Sequence, residues 1–519
     1  MPKVLQINAE SNALGRISSR VRQSSQLGQY NPCSAKETLH FFVRPFFTPD
    51  RLMGFVLLNW PDRIFALYEE ISRMTLDRFV NLNLAALAFA IALVSVPLPA
   101  GAQVSPGDVI TRDNAAQVQM LVSPGTYDLV RQGMTMKIIP TGHLDWPPPY
   151  KAATERYSPQ VSLSSDGNLN NYVAGLPFPL VDISDPEVAT KIMWNFAYRP
   201  IYTDDLDARD VEAVSHRAGS ANEVEHFSFG HLGFYNSVGR TEVNPMPTDP
   251  DVLKTGIASR SGAYPILEPA EMRGAGIISE RYSDGKTDDA VWEYGGESRK
   301  LRRLPAIQLS DSFGVSKTGG RTQLGINGGF TTYASTWDPD SRFGFSGKIQ
   351  DYTYRLLGER SMLAVVEAEN SPATPCADDG GRSVCTENWE LRHIYVIEAT
   401  AKPRSILGAS TAIPKRVFYI DSEGWFITAS DQFDRNGQLW KTLVTFNAYR
   451  DRAVPGARVA IWPYKRMFQT ALVDADLTDG FSTVVYSPGP GSQDDGMYIN
   501  MGAIDQTFFT PERMVQAGH

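Results

Sequence analysis

RVFYIDSEGWFITASDQFDRNGQLWKTLVTF, residues 416–446, is the stretch that decides the fold. Three runs of aromatic and β-branched residues are separated by Glu423-Gly424 and Asn436-Gly437, the dipeptides of tight hairpin turns. Strict alternation places Phe418 and Ile420 on one side of the first run, with Val417, Tyr419 and Asp421 on the other. In the second run it places Trp425, Ile427, Ala429, Asp431 and Phe433 together. Both sides are largely apolar, which suits a sheet covered on one side and lining a cavity on the other. Asp431 stands out, because a carboxylate on an apolar face must be hydrogen-bonded or paired. It reads either as a structural acceptor or as a polar anchor for a ligand head group.

The same texture runs on either side. From about residue 206, strand-like segments follow one another with turn signals such as Asp284-Gly285 and Gly295-Gly296 between them. Long consecutive antiparallel strands curl into a barrel or a deeply curved open sheet. Residues 103–205 differ. Pro124 opens one helix and Asp185-Pro186 another, with Val188, Ile192 and Phe196 on one face. A Pro run follows at Pro147–Pro149. The expected fold is therefore mainly β with accessory helices. Residues 206–519 form a strongly curved antiparallel sheet, and 103–205 supply helices and loops. A glycine-rich insert spans 310–347.

The chain has 519 residues, 42% hydrophobic and 21% charged, with a net charge of −9. That balance argues against a nucleic-acid partner. At 74–102 a short lead holding Arg78 is followed by the apolar run Leu84–Val96 and then Ala100-Gly101-Ala102. This is the order of a secretory leader, and the run is too short for an ordinary membrane span. Residues 1–73 then read as an extension from an upstream start. The expected location is the periplasm, with attachment to the outer membrane through a partner left open. Cys376 and Cys385, in PCADDGGRSVC, read as a loop-stapling disulfide in an exported chain.

No nucleophile elbow, HExxH, P-loop or dinucleotide fingerprint occurs. His216, His226 and His231 lie near Glu223 and Glu225, a set that reads as structural histidines before it reads as a zinc site. Arg299, Lys300, Arg302 and Arg303 alternate around Leu301 as on a charged edge strand. No catalytic set, cofactor or metal is expected.

WEYGGESRKLRRLP (292–305), HIYVIEATAKPR (393–404) and KRVFYIDSEGWFITASDQFDRNGQLWK (415–441) resemble the DUF1329 family of proteobacterial exported proteins. GLPFP (175–179) followed by MWNFAYR (193–199) carries the same resemblance. That family is similar to the outer-membrane lipoprotein-sorting (LolA/LolB-like) proteins. The resemblance implies an unclosed β-barrel whose concave face is plugged by helices. It also implies a periplasmic carrier for a lipid, acyl chain or other hydrophobic small molecule, working with an inner- or outer-membrane transport component. An enzyme for a hydrophobic substrate on the same scaffold, or a non-catalytic envelope adaptor, are the alternatives. The expected ligand-lining residues are Trp292, Tyr294, Tyr395, Ile397, Phe418, Ile420, Trp425, Ile427 and Asp431.

Overall fold

The computed structural model describes residues 104–220, 222–304, 343–370, 373–402, 413–454, 461–490 and 496–519. The expected leader at 74–102, the extension 1–73 and most of the glycine-rich stretch 310–347 lie outside the described residues.

Two short strands, β1 (Val109–Ile110) and β2 (Met136–Ile138), pair with each other, and β3 (Ser162–Leu163) and β4 (Leu169–Asn170) form a separate ribbon. The main sheet is built in two runs. The first is β5 (Asp205–Arg217), β6 (Glu223–Asn236), β7 (Ile257–Ala263), β8 (Ile266–Glu268), β9 (Gly276–Tyr282), β10 (Ala290–Gly295) and β11 (Lys300–Leu304). The second is β12 (Tyr352–Ala364), β13 (Glu387–Ala401), β14 (Lys415–Asp421), β15 (Ile427–Phe433), β16 (Leu439–Arg450), β17 (Arg466–Asp476), β18 (Phe481–Tyr486) and β19 (Met497–Ile499).

Each run is an antiparallel meander. They join where β18 and β19 pair with successive parts of β5. The order across the sheet is β11-β10-β9-β7-β6-β5-β18-β17-β16-β15-β14-β13-β12, with β8 on β6 and β2 running parallel to the start of β13. Among the described residues β11 and β12 do not pair, so the sheet stays open. The fold is mostly β with few helices, as expected.

The helices are α1 (Pro124–Gln132), α2 (Pro148–Tyr157), α3 (Val188–Ala197) and α4 (Pro511–Ala517). Proline begins α1 and α2, where its missing N–H costs nothing. Ser123 caps α1, accepting from the Thr126 amide at 3.0 Å. α3 has the anticipated face, with Val188, Ile192 and Phe196 buried. Its Asn195 explains why GLPFP and MWNFAYR occur together. The Asn195 side chain accepts from the Phe178 amide at 2.9 Å and donates to the Phe178 carbonyl at 2.8 Å. Gly175 approaches α2 so closely that a Cβ would lie 2.4 Å from the Thr154 amide, and its φ of 82° also favours glycine.

The Glu423-Gly424 turn is held by one arginine. Arg392 on β13, 3% exposed, donates to Asp421 at 2.7 Å, Glu390 at 2.9 Å, Glu423 at 2.7 Å and the Gly142 carbonyl at 2.7 Å. Asp421 in turn accepts from the Glu423 and Gly424 amides. Trp146 Nε1 donates to the Glu423 carbonyl at 2.7 Å, tying the chain before α2 to the same turn. Removing the cation strands three carboxylates. Arg392→Met is expected to lower unfolding free energy by about 3–5 kcal/mol in urea titrations. A loss under about 1 kcal/mol would show that the turn is held otherwise.

Candidate ligand-binding site

Cross-strand pairing shows which residues share a face. Ile397 pairs with Phe418, Tyr395 with Ile420, and Ile420 with Ile427. These five, with Trp425, form one cluster with Ile192, Met193 and Phe196 of α3. The Trp425 ring stacks on Tyr395 with centroids 5.8 Å apart. Six of the nine expected lining residues are thus brought together, as a packed cluster with α3 rather than as the wall of the cavity described below; of the six, Ile427 borders a small neighbouring space.

Three are not. Trp292 and Tyr294 belong to a separate cluster with Tyr264, Ile278 and Met514, under α4. Asp431 lies on the opposite side of β15 from Ile427. The pairing shifts between Tyr419–Ala429 and Ile420–Ile427, so Thr428 is an extra, unpaired residue. Such a bulge reverses the alternation. Ala429 accordingly clusters with Val417, Tyr419, Ile394 and Val396, away from Ile427.

Asp431 has a structural setting. It is fully buried and accepts from Thr442 Oγ1 at 2.9 Å, Ser123 Oγ at 3.1 Å, the Gly125 amide at 3.3 Å and Tyr419 OH at 3.5 Å. It therefore anchors the first turn of α1 to the sheet. A Cβ on Gly125 would lie 2.2 Å from Thr442 Oγ1. Burial pushes the Asp431 carboxyl up to about 6 against the donors around it.

One helix touches distant parts of the sheet. α3 lies against β12 and shares one buried cluster with β13 and β14. With β6, β7 and β9 it also encloses a cavity of about 250 Å³. Between β14 and β6 lie six strand spacings, about 29 Å if flat, whereas a helix is about 10–12 Å across. The sheet must curl around α3. The cavity has aromatic walls from Trp194, Phe196, Phe234, Phe343 and Phe345. It also carries Ser259, Ser261, Ser279 and Ser283, and the cations Arg199, Arg260, Arg281 and Lys348. No aspartate, glutamate or histidine is among its described lining residues.

Three of the cations have carboxylate partners. Arg281 pairs with Asp289 at 2.8 Å and Lys348 with the same carboxylate at 3.3 Å, while Arg260 pairs with Asp251 at 3.1 Å and Glu280 at 3.7 Å. Strand β7 and this polar lining escaped the sequence reading. IASRSGA is rich in Ala, Ser and Gly, which have weak strand propensity. Its alternation of Ile257, Ser259, Ser261 and Ala263 was the available signal.

The histidines are dispersed among separate carboxylates. His226 pairs with Glu212 at 3.1 Å and His231 with Asp207 at 2.8 Å. Among the described residues no three His, Cys, Asp or Glu side chains gather as a metal site. β11 is an edge strand, with Lys300–Arg303 exposed. Cys376 and Cys385 form the expected disulfide. Its loop is no surface excursion: Arg382 donates to Gln132 at the end of α1, and Ser482 donates to the Arg382 carbonyl. No helix among the described residues is long and apolar enough to cross a membrane.

Residues 109–514 match the family described as "Protein of unknown function (DUF1329)". The chain belongs to the DUF1329 family. An uncharacterized protein of Pseudomonas aeruginosa is 22% identical over 358 residues, covering 67% of this chain and 70% of its own. Among solved structures, a putative outer membrane lipoprotein-sorting protein domain from Vibrio parahaemolyticus aligns with TM-score 0.38 and 14% identity, over 63% of this chain and 97% of that one. A DUF1329 family protein from Desulfovibrio piger gives 0.36 and 15%, over 60% and 92%. A LolA superfamily protein from Nitrosomonas europaea gives 0.30 and 16%, over 60% and 91%.

In this DUF1329 protein the Asp431 contact makes a pH-dependent prediction. The folded-state value lies above the free carboxyl value of about 3.9, so folding favours the protonated form. The contribution is present below about pH 4 and is lost as pH rises through about 6. Asp431→Asn should therefore gain on the wild type by about 2–3 kcal/mol between pH 4 and pH 7 in paired urea titrations. A difference that stays constant over that window would show a carboxylate fully satisfied in its ionised form.

Proposed function

We propose that this protein is a periplasmic carrier that shelters a hydrophobic or amphipathic small molecule, such as a lipid or acyl chain, between α3 and the curled sheet. The observation that carries this reading is the aromatic-walled cavity of about 250 Å³ enclosed by α3 and strands β6, β7 and β9. Two smaller spaces adjoin it through Phe343. One is walled by Leu206, Ala208, Leu232 and Ala263, the other by Ile201, Phe426 and Ile427.

Burying an apolar chain there supplies roughly 25 cal/mol per Å² removed from water. The cavity offers hydrogen-bond donors and cations but no carboxylate or imidazole among its described lining residues, which favours holding over proton transfer. A cargo larger than the cavity would lift α3 from Ile397, Phe418, Ile420 and Ile427, so α3 serves as a plug that exchanges with ligand. The leader-like sequence at 74–102 supports a periplasmic location, where the carrier would hand its cargo to a membrane transport component.

Native mass spectrometry of the protein isolated from its own periplasm tests the reading. The expected result is a co-purifying small molecule released by organic solvent. Repeated recovery of empty protein that takes up no amphiphile in vitro would contradict it.

A further inference from the structure

We infer that the cavity recognises the anionic head of an amphiphile, a carboxylate or phosphate joined to an apolar chain, through the guanidinium of Arg199. The inference rests on the carrier reading and names the chemistry of its cargo.

Arg199 differs from the other three cations of the cavity. No carboxylate pairs with it among the described residues. Its one side-chain hydrogen bond there runs from Nη1 to the Phe196 carbonyl, at 2.8 Å. Its guanidinium lies over the rings of Phe196, at 4.6 Å, and Phe343, at 4.7 Å. Although part of its surface remains accessible, the surrounding packing is dense enough to pull its pKa down to about 10 by desolvation.

The simpler account is that Arg199 caps the C-terminus of α3, where a cation meets the last carbonyls and the negative end of the helix dipole. That role uses one of the five N–H donors of the side chain. It gives no reason for a cavity that gathers four cations without one lining acid. An incoming carboxylate or phosphate would find a planar fork suited to bidentate bonding, and would relieve the cost of an uncompensated cation. Ser259 lines the same space, and its hydroxyl can donate to a remaining oxygen. The Ser261–Ser279 hydroxyl pair, 2.7 Å apart, lies beside it.

Size limits what enters. Ordinary small-molecule sites run to about 300–1,000 Å³, so this one takes a head group and the first part of a chain. The aromatic walls formed by Phe234, Phe343 and Phe345 lie where that chain would run.

The test is a calorimetric or dye-displacement series on the mature protein with octanoate, octyl phosphate, octanol and inorganic phosphate. The expected result is binding of both anionic octyl compounds about tenfold or more tighter than octanol, with inorganic phosphate alone weak. Arg199→Gln should bring the anionic compounds down to the octanol level and leave octanol within about twofold. Arg199→Lys, which keeps the charge, should retain a preference for the anions. Should Arg199→Gln fail to fold, the wild-type series and the lysine variant decide the matter.

Equal affinity for octanol and the anions, or an unchanged preference in Arg199→Gln, overturns the inference while leaving the carrier intact. Inorganic phosphate binding as tightly as octyl phosphate overturns it in favour of a free-anion site. Binding of none of the four defeats the carrier reading and the inference together.

Discussion

A helix of ten residues must satisfy two stretches of sheet that lie six strand spacings apart. Ile192, Met193 and Phe196 of α3 pack on Ile397, Phe418 and Ile420, while Trp194 and Phe196 face the cavity shared with β6, β7 and β9. Curvature of the sheet follows from that double contact. So does the cavity, because a cylinder inside a curled sheet cannot fill its whole width. The Asn195 clamp on Phe178 and the Tyr150 hydroxyl, which donates to the Tyr198 carbonyl at 2.6 Å, fix α3 against the chain before it and against α2. The other side of the sheet is held separately, by α1 standing on Asp431.

The broad architecture was legible from alternation and turns. β14, β15 and β16 fall where the opening stretch places them, and α1, α3 and the disulfide form where Pro124, Asp185-Pro186 and the two cysteines point. Two features were hidden for identifiable reasons. The bulge at Thr428 depends on pairing with β14, and nothing in FITAS marks the extra residue. Reading strict alternation through it put Asp431 beside Ile427, when the two lie on opposite sides. β7 was hidden because IASRSGA packs small residues where space is needed, and small residues are poor strand formers. None of the nine expected lining residues is on the cavity wall, so both its polar and its aromatic lining came from the structure, while the packed cluster under α3 could be read from sequence. Trp292 and Tyr294 were misplaced for a third reason: the sequence gives no sign that α4 returns to cover β10.

The cavity joins two chemistries that are costly apart. Aromatic walls alone would hold any apolar chain, and four cations alone would invite water and loose anions. Three of the cations pair with Asp251, Glu280 and Asp289, which leaves Arg199 as the one of the four without a carboxylate partner among the described residues. On the proposed reading, apolar burial would set the affinity for the chain and the guanidinium would set which head group is accepted. A carrier also has to release what it holds. In the proposed carrier α3 would provide for that, since its apolar face shares a buried cluster with the sheet.

The most direct measurement is a crystal structure of the protein soaked with 8-bromooctanoate, with the bromine located by anomalous scattering. The account predicts a bromine peak among Phe234, Phe343 and Phe345, and the carboxylate against Arg199. A peak confined to the outer surface of the sheet, or none at saturating ligand, would contradict it.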